Sequence, residues 1–451
     1  MQCPMVVLIN ILRYITIITN EIILIVSEKR CKMAKNIKAN NRIKQTALVS
    51  ALLLELTGAQ GATIIVDGTT CSFADAVVAA NTDTATGGCS AGAGADILEL
   101  TSPVINVTAR ADIESDVTIN GNGATIQSNG SYFMMLSVGY YSSGKLTLND
   151  TTVQGGYHPY NWGAGVRAYN GSLNINRSTF TNNTGGAVLF SPGTSGSIKQ
   201  STISDNQGAN ADWYSGAISI SGANVTIEDS TISNNSTIST SSGGGGLYIT
   251  DYLSPLQLTI SNTTISGNTA EKYGGGICHE DSGNGSTVVL NNVTLINNHS
   301  NTYTGGLYND SANMTINQSL ISGNTATEPA GTEIYLFGSG QIDVNNYNII
   351  GLNSNAGVAG VSLGASDIIP TETSLTDIVD VNLANNGGMT PTHNLNPTGP
   401  AVDVIPSAFC QLTHDQTGIA RPIDGNNNGT TECDVGAVEF YVDIIFKDGF
   451  D

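Results

Sequence analysis

Six asparagines stand in register along the chain, each three residues after the apolar residue that closes a short strand-like run. They are Asn183, Asn206, Asn235, Asn268, Asn298 and Asn324, following Phe180, Ile203, Ile232, Ile265, Leu295 and Ile321. Around them recurs one unit: apolar-x-apolar, polar residues, Ser/Thr, apolar, turn. A sequence with this self-similarity is a repeat array, and its period decides the architecture. From Val153 through these apolar positions to Ile349 the steps are 27, 23, 29, 33, 30, 26 and 28 residues. Each unit holds two or three period-two runs of Val, Ile, Leu and Thr broken by Gly and Asn, with no 3.6-residue period long enough for a helix. A strand unit of this size cannot bury its own inner face, so it must stack in parallel on its neighbours. The expected fold is all-β, a right-handed parallel β-helix of the pectin-lyase-like type with about 8–10 coils.

Coil geometry also assigns the asparagines a role. Asn tolerates the left-handed backbone of sharp turns, and stacked amides can hydrogen-bond as a ladder. The same offset falls on Gly156 at one end and Leu352 at the other, so the regular stack is expected to weaken outside roughly 150–350.

The first 61 residues read as two leaders. Residues 6–26 are apolar but interrupted by Arg13 and Glu21, and residues 1–32 as a whole read as an over-extended start. From Met33 a basic stretch (Lys35, Lys38, Arg42, Lys44), an apolar run from Ala47 and the small residues Ala59-Gln60-Gly61 form a signal peptide at 33–61. Of 16 Lys and Arg, 8 lie before residue 62, with 3 of the 37 Asp and Glu. The remaining 8 basic against 34 acidic residues leave a balance of −26. That surface repels phosphate backbones, so nucleic acid is not an expected partner, and no later segment has the ~18 apolar residues of a membrane span.

Two cysteine pairs, Cys71 with Cys89 and Cys410 with Cys433, flank the array and would each close a loop of about 20 residues, worth roughly 3 kcal/mol. They fit an exported protein. Cys278 is left over as a buried thiol. Residues 62–109 are expected to cap the start of residues 110–355, and 356–440 to form a β-rich cap before the tail at 441–451. Ser72 with Asp75 three residues on marks the start of a short helix.

Two resemblances follow from quoted blocks. Cys71-Ser-Phe-Ala-Asp-Ala76, Ala79-Ala-Asn81, Gly87-Gly-Cys89 and Gly94-Ala-Asp96 resemble the N-terminal module named for its CSLREA sequence, here degraded to CSFADA. Asn385-Asn-Gly-Gly-Met-Thr-Pro-Thr-His393, Pro400-Ala-Val-Asp403, Asp415-Gln-Thr-Gly-Ile-Ala-Arg-Pro422 and Cys433-Asp-Val-Gly-Ala-Val-Glu439 resemble the choice-of-anchor Q domain. These resemblances imply a bacterial exported β-helix protein, extracellular or on the outer cell surface, and the tail FYVDIIFKDGFD resembles the IFxDGF endings of some gammaproteobacterial exported proteins, which implies a Gram-negative cell. Neither family carries a defined activity.

Candidate chemistry is sparse. Asp424, Asn426 and Asn428 have the spacing of a calcium loop, with Glu432 and Asp434 as further oxygens, and would hold Ca²⁺ as a structural staple. Trp162, Trp213, Tyr214, Tyr273 and Tyr303 precede the glycines that enter successive strands, where their rings would line an edge able to stack on sugars or pack on one another. A second column, Tyr248, Cys278, Tyr308 and Tyr335, reads as cross-strand packing. Parallel β-helices host polysaccharide lyases and glycoside hydrolases, which need grouped carboxylates or a base beside a cation. The one mixed-charge cluster, Asp150, Arg177, Lys199, Glu228 and Asp229, reads as catalytic or as surface ion pairs. Cys278-His-Glu-Asp281 lacks the further ligands that zinc requires. The leading expectation is an adhesin-like interaction protein engaging polysaccharide or a surface protein; a carbohydrate-active enzyme and a structural spacer are the alternatives.

Overall fold

Each coil is built from short alternating runs whose apolar residues all point one way. In one coil the strands are Gly171–Asn176, Thr179–Thr181 and Val188–Phe190. Leu173, Ile175, Phe180, Val188 and Phe190 enter the common core. The computed structural model describes residues 61–441 apart from 129–132, 161–162, 210–215, 242 and 328–330. The expected leaders at 1–32 and 33–61 apart from Gly61, the rings of Trp162, Trp213 and Tyr214, and all of the tail but Tyr441 lie outside these residues.

Equivalent strands pair in parallel with the coils on either side: Phe180 stands against Val153 and Ile203, and Ile175 against Leu148 and Ile198. The result is a right-handed parallel β-helix. One face is a ten-stranded sheet, the other two strands of each coil merge into a 19-stranded assembly, and a short five-stranded sheet fills a corner. Parallel pairing runs from Thr63–Val66 to Val358–Ala359, beyond the 150–350 limits expected from the asparagines. The apolar columns continue past the last amide, and the stack continues with them.

Two corners turn through single left-handed residues. The first column includes Asp150, Arg177, Gln200, Asp229, Asn262, Asn292 and Gln318; the second holds Asn182, Asp205, Asn234, Gly267, Asn297 and Gly323. The second column corrects the role expected of the six asparagines, because each left-handed residue is the one just before a ladder asparagine. The ladder residues themselves point inward and are buried.

There they form a continuous amide ladder. Asn183 Nδ2 donates to Asn206 Oδ1 at 2.9 Å, and the series continues through Asn235, Asn268, Asn298 and Asn324 at 2.9–3.0 Å. Each of these Oδ1 atoms also accepts the backbone N–H of the preceding rung. At the first corner a ladder of hydroxyls does similar work: Thr151, Ser178 and Ser201 each donate a backbone N–H to the serine Oγ of the next coil.

The amide ladder ends on Glu333, whose buried carboxylate accepts from Asn324 Nδ2 at 2.6 Å. Burial raises the Glu333 carboxyl to about 7, against the opposing hydrogen bonds from Asn324. A carboxyl raised on folding contributes stability that is complete below its ordinary range and is lost as pH climbs to about 7, here about 3 kcal/mol. Glu333→Gln keeps the acceptor without the charge. It is expected to melt higher than wild type at pH 8 and to flatten the melting temperature between pH 5 and 8; an unchanged pH slope would remove Glu333 as its source.

Both ends of the core are closed. Helix α1, Phe73–Thr82, starts at Ser72, whose Oγ accepts the Asp75 N–H, and stops at the left-handed Asp83. Phe73, Ala76, Val77 and Ala80 plug the first coils, and Cys71 is bonded to Cys89. At the far end Val358, Val361 and Leu363 pack on the same core.

Residues beyond these form not a β-rich lid but an irregular strap. Its regular pairing is one short antiparallel contact, Ile405–Pro406 with Glu432–Cys433, beside the Cys410–Cys433 disulfide. The strap runs back along the outside of the coils over a second apolar cluster, in which Leu375, Ile378, Val379 and Ile405 cover Ile296, Leu320 and Ile349. Gln416 ties it down, accepting from Thr264 Oγ1 at 2.7 Å and donating to Ser230 O at 3.0 Å. His393 Nε2 lies 2.9 Å from Ser266 Oγ.

Charged residues of the C-terminal blocks meet inside the strap. Arg421 Nη1 donates to Glu439 Oε1 at 2.5 Å and to Asp434 O at 2.8 Å, and Nη2 to Gly436 O. The Asp434 carboxylate accepts the N–H groups of Asp403 and Phe440, and Asp415 those of Thr417, Ile419 and Glu439. These residues therefore build the strap rather than face a ligand.

Candidate functional site

The outward positions of the ten-stranded sheet line up into one column because register is exact from coil to coil. It reads Asp112, Ser137, Arg167, Leu189, Ser219, Tyr248, Cys278, Tyr308 and Tyr335. A second column two residues on holds Thr250, Glu280, Asp310 and Phe337.

At the C-terminal end of this face the aromatics form a packed ridge. Tyr273 stacks on Tyr308 at 4.4 Å and on Tyr303 at 5.1 Å, and Tyr303 faces Tyr335 at 6.4 Å. Lys272 Nζ sits 4.5 Å over the Tyr273 ring. The expected edge of Tyr273 and Tyr303 thus joins the expected column of Tyr248, Cys278, Tyr308 and Tyr335 in one cluster. Ring faces within it are partly consumed by one another; Tyr273, Tyr303 and Tyr335 keep part of their surface in solvent and Phe337 is exposed.

Carboxylates flank the ridge. Tyr248 donates its hydroxyl to Glu280 Oε2 at 2.7 Å. Glu280 and Asp310 are register partners on adjacent coils, and burial, with the Asp310 charge adding to it, raises the Glu280 carboxyl above its ordinary range. Burial also raises the Cys278 thiol well above normal. Strand alternation separates the Cys278-His-Glu group: Cys278 and Glu280 face out, while His279 points inward, fully buried, its imidazole pushed down to about 4 by desolvation.

The N-terminal end of the same face carries a site that sequence reasoning missed. Arg110 lies 4.0 Å over the Tyr140 ring and Arg167 4.1 Å over Tyr169, with Tyr140 and Tyr169 edge to face at 4.8 Å. Arg110 also holds Asp112 through two hydrogen bonds, at 2.6 and 3.1 Å. The Tyr140-Tyr141 pair was a visible signal, but its coil precedes the asparagine register.

Other expected groups are placed plainly. Arg177 grips Asp150 through both guanidinium arms, 2.8 and 2.7 Å, on exposed turn positions, which raises the guanidinium pKa further. Lys199 meets Glu228 at 3.0 Å. Such surface pairs are worth at most about 1 kcal/mol each. Asp229, in contrast, is buried beneath the strap. In the expected calcium loop Asp424, Asn426 and Asn428 accept the loop's own N–H groups, and the Asp434 carboxylate accepts the N–H groups of Asp403 and Phe440.

The register from coil to coil, with the core's apolar columns inward and the corners left-handed, agrees with the family comparison. Residues 115–318 match the sequence model of the right handed beta helix region. The matched part of this β-helix spans the ladder from Asn183 to Asn298. No curated protein and no solved structure matches the chain. No helix among the described residues is long and apolar enough to cross a membrane.

Proposed function

We propose that this β-helix is a secreted or cell-surface interaction protein, adhesin-like, that engages a glycan along the outer face of its ten-stranded sheet. The observation that carries the reading is the tyrosine ridge of Tyr273, Tyr303, Tyr308 and Tyr335 beside Glu280 and Asp310. Rings offer sugars a stacking surface, and carboxylates accept hydroxyl hydrogen bonds. Arg110, Tyr140 and Tyr169 extend the same face toward the first coils, which suits an extended ligand. The expected leader, the disulfide pairs and the two sequence resemblances support export from a bacterial cell, where such a face would meet polysaccharide.

A hydrolase is the second reading, favoured by one observation. Glu280 and Asp310 are neighbouring carboxyls, one of which burial holds toward its protonated form, and hydrolysis of a glycosidic bond uses such a pair. One experiment separates the two. The purified chain is passed over a panel of immobilised polysaccharides, and both retention and release of shorter products are measured. Retention without release is expected. A ring contact is worth about 0.5–1.5 kcal/mol, so Tyr273→Ala with Tyr303→Ala should weaken binding roughly tenfold. Retention unchanged in that variant would remove the ridge as the binding surface, and product release abolished by Glu280→Gln would make the protein an enzyme.

A further inference from the structure

We propose that Glu228, Asp229 and His414 bind a divalent transition-metal ion of the zinc class, which pins the C-terminal strap to the coils. The inference is independent of the glycan reading. A ligand atom from each of the three residues lies within 4.8 Å of the other two. They come from distant parts of the chain. Glu228 ends the strand Asn224–Glu228, Asp229 is the left-handed corner that follows it, and His414 belongs to the strap.

Asp229 is the telling member. Its residue is 3% exposed, yet its carboxylate has only long contacts: Asn262 Nδ2 at 3.4 Å and His414 Nε2 at 3.6 Å. A buried carboxylate without a good partner is costly, and the usual remedies are a close cation or a metal. The 3.6 Å spacing is too long for a hydrogen bond. It is close to the edge of a tetrahedron, roughly 3.3–3.4 Å, formed by two ligands at ~2.0–2.1 Å from one zinc ion. One imidazole nitrogen and two carboxylates are ligands that zinc accepts, with solvent completing the shell.

The surroundings support an ion there. His414 is held in place through its backbone carbonyl, which accepts from Asn262 Nδ2 at 2.9 Å, so its ring is presented without being needed for the strap's hydrogen bonds. Lys199 occupies Glu228 Oε2, and Oε1 carries no hydrogen bond. The hollow between Gln200, Gly388, Gln416 and Gly418, which Asp229 and His414 line, opens to solvent and gives an entry path.

The test uses the full chain freed of metal with a chelator, titrated with zinc chloride by calorimetry and then melted with zinc or with EDTA. Binding of one ion per chain and a higher melting temperature with zinc are expected. His414→Gln and Asp229→Asn should each weaken binding by more than the roughly 10–100-fold that loss of a supporting outer group costs, and abolish the zinc-dependent shift. His414→Gln melting like wild type in EDTA would show that it folds, so that its loss of binding reports the site. No saturable binding, or a His414→Gln variant that binds zinc as wild type does, would overturn the proposal. So would equal, His414-independent binding of calcium.

Discussion

Arg421→Met is expected to detach the strap from the β-helix while the coils stay folded. The guanidinium is 1% exposed and the Glu439 carboxylate 0%, and around them Asp434, Asp415 and Asp403 add further carboxylates in the same interior. Where the carboxyls are ionised, removing the one cation leaves buried negative charge uncompensated, which costs about 3–5 kcal/mol. The strap has its own apolar cluster, separate from the main core, so the loss should be local. Hydrogen exchange or limited proteolysis would show residues 375–440 opening, with protection of the coils retained; equal protection of the strap in variant and wild type would refute it.

The same network makes a pH prediction with a definite sign. Burial raises Asp434 to about 7 and Glu439 to about 8, with the Arg421 charge opposing both shifts. Both carboxyls lie above their unfolded values, so the folded strap binds the extra protons. Its stability is complete below about pH 4 and is lost as pH rises through 7 to 8. Strap protection should therefore fall between pH 6 and 9 in the wild type. Arg421→Met should be closest to wild type at acid pH, where the carboxyls can be neutral.

How far the sequence reveals this molecule depends on whether a feature repeats. The apolar columns and the amide ladder recur every coil, and position alone identifies them. The left-handed corners do not separate as cleanly, because Asn182-Asn183, Asn234-Asn235 and Asn297-Asn298 are adjacent pairs of one residue type, and composition cannot say which turns and which points inward. Strand alternation, readable in principle, splits His279 from Cys278 and Glu280. The strap is the opposite case. It has no period, so nothing local brings His414 to Asp229, 185 positions earlier, or Arg421 to Glu439. The charged blocks near the C-terminus are visible as motifs, but a motif gives no indication that its carboxylates are buried.

Asn235→Ala, in mid-ladder, is expected to destabilise the β-helix by about 2–5 kcal/mol. Its Oδ1 accepts both the Asn206 N–H and Asn206 Nδ2 at 3.0 Å, and its Nδ2 donates to Ile203 O and Asn268 Oδ1 at 2.9 Å. Alanine leaves the Asn206 N–H and a carbonyl without these partners in a buried corner, each costing about 1–3 kcal/mol. An outer amide such as Asn291, which accepts from Asn317 Nδ2 on the part-exposed face, can exchange its partner for water. Asn291→Ala should cost well under half as much in denaturant unfolding, and equal losses would show that the inner ladder is not special. The ladder also has a direction. Every rung accepts from the coil before and donates to the coil after, so the first rung needs only a donor and the last only an acceptor. The Gly156 N–H supplies the first at 3.0 Å, and the Glu333 carboxylate supplies the last. A carboxylate is therefore tolerated at the end and not in the middle. Asn235→Asp would set an anion against Asn268 Oδ1 and Ile203 O, and should be more destabilising than Asn235→Ala at pH 7, with the difference shrinking as the aspartate is protonated in acid.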